Sequence, residues 1–224
     1  MSDDIDLKSL EKKAYRSLFD DGLWDLFIGM TILGMGISTS LGSLFNLPDI
    51  WITFIPIVIW YTITFLIFYL GKKFISIPRI GLVKFGPKRK SKHLKLKLFL
   101  SAFLILNIVL FILPFTGLIS SIPLEPLFMA LLLGLGSFTF PFCVVAFFLD
   151  FTRLYFYAFL AGIGLFLTVL INPIVGSPMD ALLIFGSIGG LIVVIGFYYF
   201  IRFLKKYPLS NKVSNNGKKE SRIR

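Results

Sequence analysis

The chain has 224 residues, of which 56% are hydrophobic and only 16% charged, with a mean hydropathy of +0.85 and a formal net charge of +11. Soluble domains carry about 25% charged residues, so this composition excludes an ordinary soluble domain. Apolar runs recur along the whole chain, each close to the roughly 20 residues that cross a bilayer as a helix. We therefore predict an all-α polytopic membrane protein, built as a six-helix transmembrane bundle.

The first segment in chain order, residues 1–22, is polar, and Leu7, Leu10, Ala14 and Leu18 recur in it at helical spacing. This pattern predicts an N-terminal amphipathic helix on the cytoplasmic membrane surface. The segment carries charges of both signs and is not followed by a short apolar region with a small-residue cleavage site. We therefore expect no cleaved signal peptide.

Six apolar spans follow and form a transmembrane domain over residues 23–203. Residues 71–97, between spans 2 and 3, form a basic loop, and residues 204–224 form a basic tail too poor in apolar residues to fold. A threefold repeat of hairpins and two inverted halves of three spans both remain open. The spans cover approximately residues 23–45, 50–70, 98–119, 127–149, 155–171 and 181–203.

The 23 Lys and Arg residues lie only in alternate connections. They precede span 1, fill the loop 71–97, include Arg153 between spans 4 and 5, and close the chain. The connections at 46–49, 120–126 and 172–180 contain none. Under the positive-inside rule this pattern predicts a multi-pass protein of the plasma membrane with both termini cytoplasmic. The same rule accounts for the net charge, so we expect no nucleic-acid partner.

Residues that usually carry catalysis are sparse. The chain has one histidine, His93, in the basic loop, and one cysteine, Cys143, in span 4. A zinc site needs three or four ligands of this kind, and the sequence lacks GxSxG, HExxH and Walker A patterns. We expect no enzyme activity, no metal and no cofactor.

Asp25, in the stretch DDGLWDLFIG, lies just inside span 1. An acid at this position could bind a cation or gate a path. Alternatively, it is a first-turn acid near the cytoplasmic rim, paired with Arg153 or Arg202. Charge near the middle of the membrane is almost absent, which argues against a proton-coupled transporter.

Four residues mark a candidate transport path. Asn107, in the middle of span 3, could contact a solute or bridge two helices. Span 4 contains Gly134, Gly136 and Pro141, which weaken the helix, and Pro141 cannot donate a backbone hydrogen bond. A broken helix can expose backbone to a substrate, although an ordinary bend is the alternative.

Small residues also recur on span 1, where Gly34, Ser38 and Gly42 share one face, and on span 6, in the stretch GSIGG at 186–190. Such faces let two helices approach closely. They predict either static packing or a sliding interface.

Prolines and glycines punctuate the basic loop, which predicts a compact turn or short hairpin on the bilayer surface. Positive charges there attract anionic headgroups by about 1 kcal/mol each. The loop could instead only set topology. The candidate lipid- or partner-binding residues are Arg79, Lys84, Lys88, Arg89, Lys90 and Lys92.

The stretches DDGLWDLFIG and IPRIGLVKF resemble segments in a group of small uncharacterised prokaryotic multispan membrane proteins. This resemblance implies no known activity and assigns no functional residue.

These patterns favour a non-catalytic integral membrane protein. Its expected partners are the lipid bilayer, anionic lipid headgroups, and a membrane or cytoplasmic protein that docks on the basic face. The alternative is a small permease or channel for a neutral or weakly charged solute, with spans 1, 4 and 6 around the path.

Overall fold

The computed structural model of the chain describes residues 19–44, 49–80, 87–112 and 125–208. Within these ranges the chain forms six helices that are long and apolar enough to cross a membrane. The all-α, six-helix membrane architecture is therefore confirmed. The helices are α1 (Leu23–Leu44), α2 (Asp49–Leu70, continued by π-helical Gly71–Ser76 and α-helical Ile77–Ile80), α3 (Pro87–Ile112), α4 (Pro126–Gly134, π-helical Leu135–Thr139 and α-helical Phe140–Leu149), α5 (Arg153–Val175) and α6 (Met179–Lys206).

Two predicted segments fall mainly outside this description. Of the amphipathic helix at residues 1–22, only 19–22 are described, and they form turns. The tail is described only to residue 208, and α6 continues into it as far as Lys206.

The basic loop differs from its prediction of a compact turn. Residues 71–80 continue α2 as helix, and residues 87–97 are the beginning of α3. Pro87 is the first residue of α3, where a missing N–H is tolerated. The lysines that follow are good helix formers, and their long side chains keep their ammonium groups in water. Both helices therefore extend beyond the spans predicted from the sequence.

The helices pack in a continuous sequence of neighbours. The pairs α1/α2, α3/α4 and α5/α6 are each in contact, and α1 against α6 and α4 against α5 join these pairs. The lateral order is therefore α2, α1, α6, α5, α4, α3. The bundle end that contains residues 19–25, the end of α2 and the beginning of α5 is called the charged end below.

A close helix–helix approach joins α1 to α6 along much of their length. A Cβ on Gly29 would lie 2.8 Å from the backbone nitrogen of Val193, and a Cβ on Gly189 would lie 2.5 Å from that of Leu33. Neither side could hold a larger residue without separating the helices. The same crowding occurs at Gly22, Gly36 and Gly196.

The predicted small-residue face is only partly the face that packs against α6. Gly34 faces the indole of Trp60 on α2, and the buried Ser38 hydroxyl donates a hydrogen bond to the Gly34 carbonyl. In the GSIGG stretch, Gly190 has open space where a Cβ would lie, whereas Gly189 has none. The packing of Gly42 lies outside the description. At Gly34 the predicted face therefore meets α2, whereas Gly29 and Gly36 meet α6.

The core lies where α1, α5 and α6 meet. Ile32, Tyr157 and Ile192 are each at most 1% exposed there. Towards the charged end, Phe19 and Phe151 extend this core with their rings stacked 5.4 Å apart. Large side chains therefore fill the space between these three helices.

We expect Gly189→Ala to destabilise the protein, because its new Cβ would overlap the α1 backbone. Overpacking of this kind costs about 1–3 kcal/mol. The measurement is thermal unfolding in detergent, followed by size-exclusion chromatography. Gly190→Ala is the matched control: its Cβ meets nothing, and alanine favours helix over glycine by about 0.5–1 kcal/mol. Equal melting temperatures for the two variants would contradict the packing described here.

Candidate functional site

The charged end is organised around two buried carboxylates, Asp21 and Asp25, both 0% exposed. Asp21 precedes α1, and its Oδ1 accepts a hydrogen bond from the Leu23 backbone N–H at 3.2 Å. Its Oδ2 accepts from Lys72 Nζ at 2.5 Å and from Ser76 Oγ at 2.6 Å. Asp21 therefore caps α1 and fixes the beginning of α1 against the π-helical part of α2.

The second carboxylate joins α1 to α5. The Tyr157 hydroxyl donates to Asp25 Oδ1 at 2.7 Å, and Arg153 Nη2 lies 3.3 Å from Asp25 Oδ2. Arg153 also donates to the Phe19 carbonyl at 2.7 Å, and its guanidinium lies 3.8 Å from the ring centre of Tyr199 on α6. The predicted pairing of Asp25 with Arg153 is confirmed.

Arg202, the other partner considered for Asp25, is exposed. It lines a small pocket of about 170 Å³ with Asp20, Tyr199 and Lys206. Because Arg153 already faces the Asp25 carboxylate, the geometry favours a structural role for Asp25 over cation binding. Among the described residues, no group of three or more His, Cys, Asp or Glu side chains could hold a metal ion.

The balance of charge explains why this cluster is tolerated in an apolar bundle. Two carboxylates face two cations, and Lys72 Nζ also lies 6.0 Å from the ring centres of Trp24 and Phe68. A buried charge is costly unless it is paired and hydrogen-bonded. Asp25 Oδ2 and Arg153 Nη1 make no hydrogen bond among the described residues, so the Asp25–Arg153 pair depends on charge more than on hydrogen bonding.

The candidate lipid-binding residues are divided between two helices. Arg79 lies in the last turn of α2, where its Nη1 donates to the Ile75 carbonyl at 3.1 Å. Lys92 is exposed on α3. Lys88, Arg89 and Lys90 lie in the first turn of α3, and their side chains are outside the description, as is Lys84 altogether.

The candidate path residues do not converge on one site. Asn107 Nδ2 donates to the Phe103 carbonyl of its own helix at 2.9 Å. This hydrogen bond is within α3 and is not the expected bridge between helices. A Cβ on Gly134 would lie 2.1 Å from the Gly162 carbonyl oxygen of α5, whereas Gly136 has open space around it. Pro141 is buried at the start of the last α-helical part of α4.

Span 4 is one continuous helix, Pro126–Leu149, so the predicted weakening is present only as a local change to π-helix at Leu135–Thr139. The Thr139 hydroxyl donates to the Ala158 carbonyl of α5 at 3.1 Å, which anchors this segment to a neighbouring helix. On its other side, α4 and α3 form an apolar groove of about 610 Å³, and Ser137 carries the only polar side chain of the residues that line it. The π-helical segment therefore adjoins a packed helix on one side and an apolar surface on the other.

Sequence reasoning missed Asp21, Lys72, Ser76 and Tyr199 as parts of one cluster. The signal available was the paired acid in DDGLWD beside an apolar span. Nothing in the sequence distinguished Lys72 from the other cations of the basic loop.

The chain matches no family model, and no curated protein or solved structure is similar to it at a significant level. The resemblance of its two short stretches to other multispan proteins stays a prediction.

We expect Arg153→Gln to destabilise the bundle strongly, because it would leave the buried Asp25 carboxyl without its counter-charge. Loss of one partner from a buried pair costs about 3–5 kcal/mol. Arg202→Gln removes the same charge from an exposed position and should change the melting temperature in detergent little. Adding Asp25→Asn to Arg153→Gln should recover part of the loss, since a neutral amide needs no counter-charge. Equal effects of the two arginine variants would contradict the pairing.

Proposed function

We propose that this integral membrane protein is not an enzyme and that it binds anionic lipid headgroups, or a membrane or cytoplasmic protein partner, through a basic face at its charged end. One observation carries the proposal: the cations of that end form two sets with different environments. Lys72 and Arg153 are held by buried carboxylates. A second set is exposed on other helices: Lys92, Lys95 and Lys97 on α3, and Arg202, Lys205 and Lys206 on α6.

The exposed set is not needed to neutralise the buried carboxylates, so its charge is available to ligands outside the bundle. Lys92, Lys95 and Lys97 are exposed in the first part of α3, before the uncharged stretch that begins at Leu98. An anionic headgroup or an acidic protein surface would meet three cations within about 8 Å along the helix axis there, at about 1.5 Å per residue. This arrangement supports surface binding, in which many weak charge contacts act together.

The packed interior supports binding over transport. Ile32, Tyr157 and Ile192 fill the seam of α1, α5 and α6, and Gly134 lies against the α5 backbone. A solute path would have to cross these contacts.

We also propose that the charged end faces the cytoplasm and that the membrane is the plasma membrane. The basic connections alternate with connections that lack Lys and Arg, which is the asymmetry that orients multispan proteins.

Replacing Lys88, Arg89, Lys90 and Lys92 together with Gln should weaken retention of anionic lipid about tenfold or more, since each charge near an anionic surface contributes about 1 kcal/mol. Native mass spectrometry of the purified protein would count the retained lipids. The matched control is Lys212, Lys218, Lys219 and Arg222→Gln, which removes the same charge from the tail. If both variants retain lipid like the unaltered protein, the lipid form of the proposal fails, and a partner must then be sought by cross-linking through Lys92–Lys97 in native membranes.

Orientation has its own test in a Cys143→Ser background. Cysteines at Glu125 and Ser177, which are both exposed at the other end of the bundle, should react with an impermeant maleimide on intact cells. A cysteine at Lys97 or Lys205 should react only after lysis. The reverse pattern would place the charged end outside.

A further inference from the structure

A second feature of the charged end is a groove over α1, between α2 and α6. Its volume is about 730 Å³, within the roughly 300–1,000 Å³ of typical ligand pockets, and it is open along one side. Its lining is apolar and includes Leu26, Leu33, Ile67, Phe74, Val193 and Phe200.

The groove begins at the charged end and runs along part of the bundle, with lining residues from Trp60 to Ile75 on α2. On α1 it runs from Leu23 to Leu33, which is about 15 Å at about 1.5 Å per residue, or about half of the roughly 30 Å hydrocarbon core. Trp60 lies at the deep end, where its indole N–H donates to the Met30 carbonyl at 2.8 Å. A groove that begins at the charged end and stops near mid-membrane fits an acyl chain of that leaflet.

A cation with unused donors lies at the shallow end. Arg79 is one helical turn beyond Ile75, which lines the groove, and its Nη1 donates to the Ile75 carbonyl. Its Nε is buried and has no hydrogen-bond partner among the described residues. The ion pairs described at the charged end engage Lys72 and Arg153 and not Arg79. A guanidinium offers several N–H groups in a fork that matches a phosphate.

We propose that this groove binds one anionic phospholipid from the leaflet at the charged end, with an acyl chain along α1 and the phosphate on Arg79. The inference rests on the proposed function and narrows it from a basic face to a single lipid site. Lys72 takes no part, because Asp21 holds it.

The test uses Trp60 as the reporter. A Trp24→Phe/Trp51→Phe protein retains Trp60 alone and is placed in nanodiscs with a minor fraction of lipid brominated on its acyl chains. Brominated phosphatidylglycerol should quench Trp60 more strongly than brominated phosphatidylcholine. Arg79→Gln should reduce this preference about fivefold, the factor that corresponds to about 1 kcal/mol. Lys212→Gln, which removes an equal charge from the tail, should leave the preference unchanged.

A second variant tests the groove itself. Val193→Phe places a larger side chain in the groove and should reduce quenching by both lipids, whatever their headgroup. Equal quenching by the two lipids in the parent protein would overturn the proposal. So would the same effect from Arg79→Gln and Lys212→Gln, or unchanged quenching in Val193→Phe.

The outcome also separates this site from the broader proposal. If Trp60 shows no headgroup preference but the Lys88–Lys92 variant loses anionic lipid, the groove site is rejected and the basic face stands. If Trp60 shows the preference and the Lys88–Lys92 variant retains lipid normally, the groove site stands and lipid binding by the basic face is rejected.

Discussion

Arg153 is the side chain on which the charged end depends, because it contacts three parts of the bundle at once. Its guanidinium lies beside the Asp25 carboxylate of α1, donates to the Phe19 carbonyl and covers the ring of Tyr199 on α6. A charge in an apolar bundle must be paired. The position of α5 along the bundle axis is therefore restricted to the one at which Arg153 reaches Asp25. The hydrogen bond from Tyr157 to the same carboxylate adds a second constraint one helical turn away.

Close packing then fixes how far apart the helices lie. Between transmembrane helices the hydrophobic effect contributes little, because lipid is as apolar as a leucine side chain, and van der Waals contact must supply the attraction. Gly29 and Gly189 allow the α1 and α6 backbones to touch, and Gly134 with Gly162 does the same for α4 and α5. The ion pairs fix the positions of the helices along the bundle axis, and the glycines fix the distances between neighbouring helices.

The pairing of cations with buried carboxylates bears on function. Lys72 and Arg153 are used to neutralise buried carboxylates, which leaves the exposed cations of α3 and α6, together with Arg79, for ligands of the bilayer or for a protein partner. The two apolar grooves lie on the outside of the bundle, between helices that face lipid. Contacts with lipid and with partners at the surface are therefore better supported than a path through the centre.

Sequence alone determined the six helices, because a long apolar run in hydrocarbon can satisfy its backbone hydrogen bonds only as a helix. It also narrowed the partners of Asp25 to Arg153 or Arg202, since few charges lie at that depth, and the structure decided for Arg153. It did not determine the glycine contacts between α1 and α6, the attachment of Lys72 to Asp21, or the groove beside Arg79. In a soluble helix the apolar stripe marks the buried side. Here the packed and lipid-facing sides are equally apolar, so only the tertiary structure decided which faces meet.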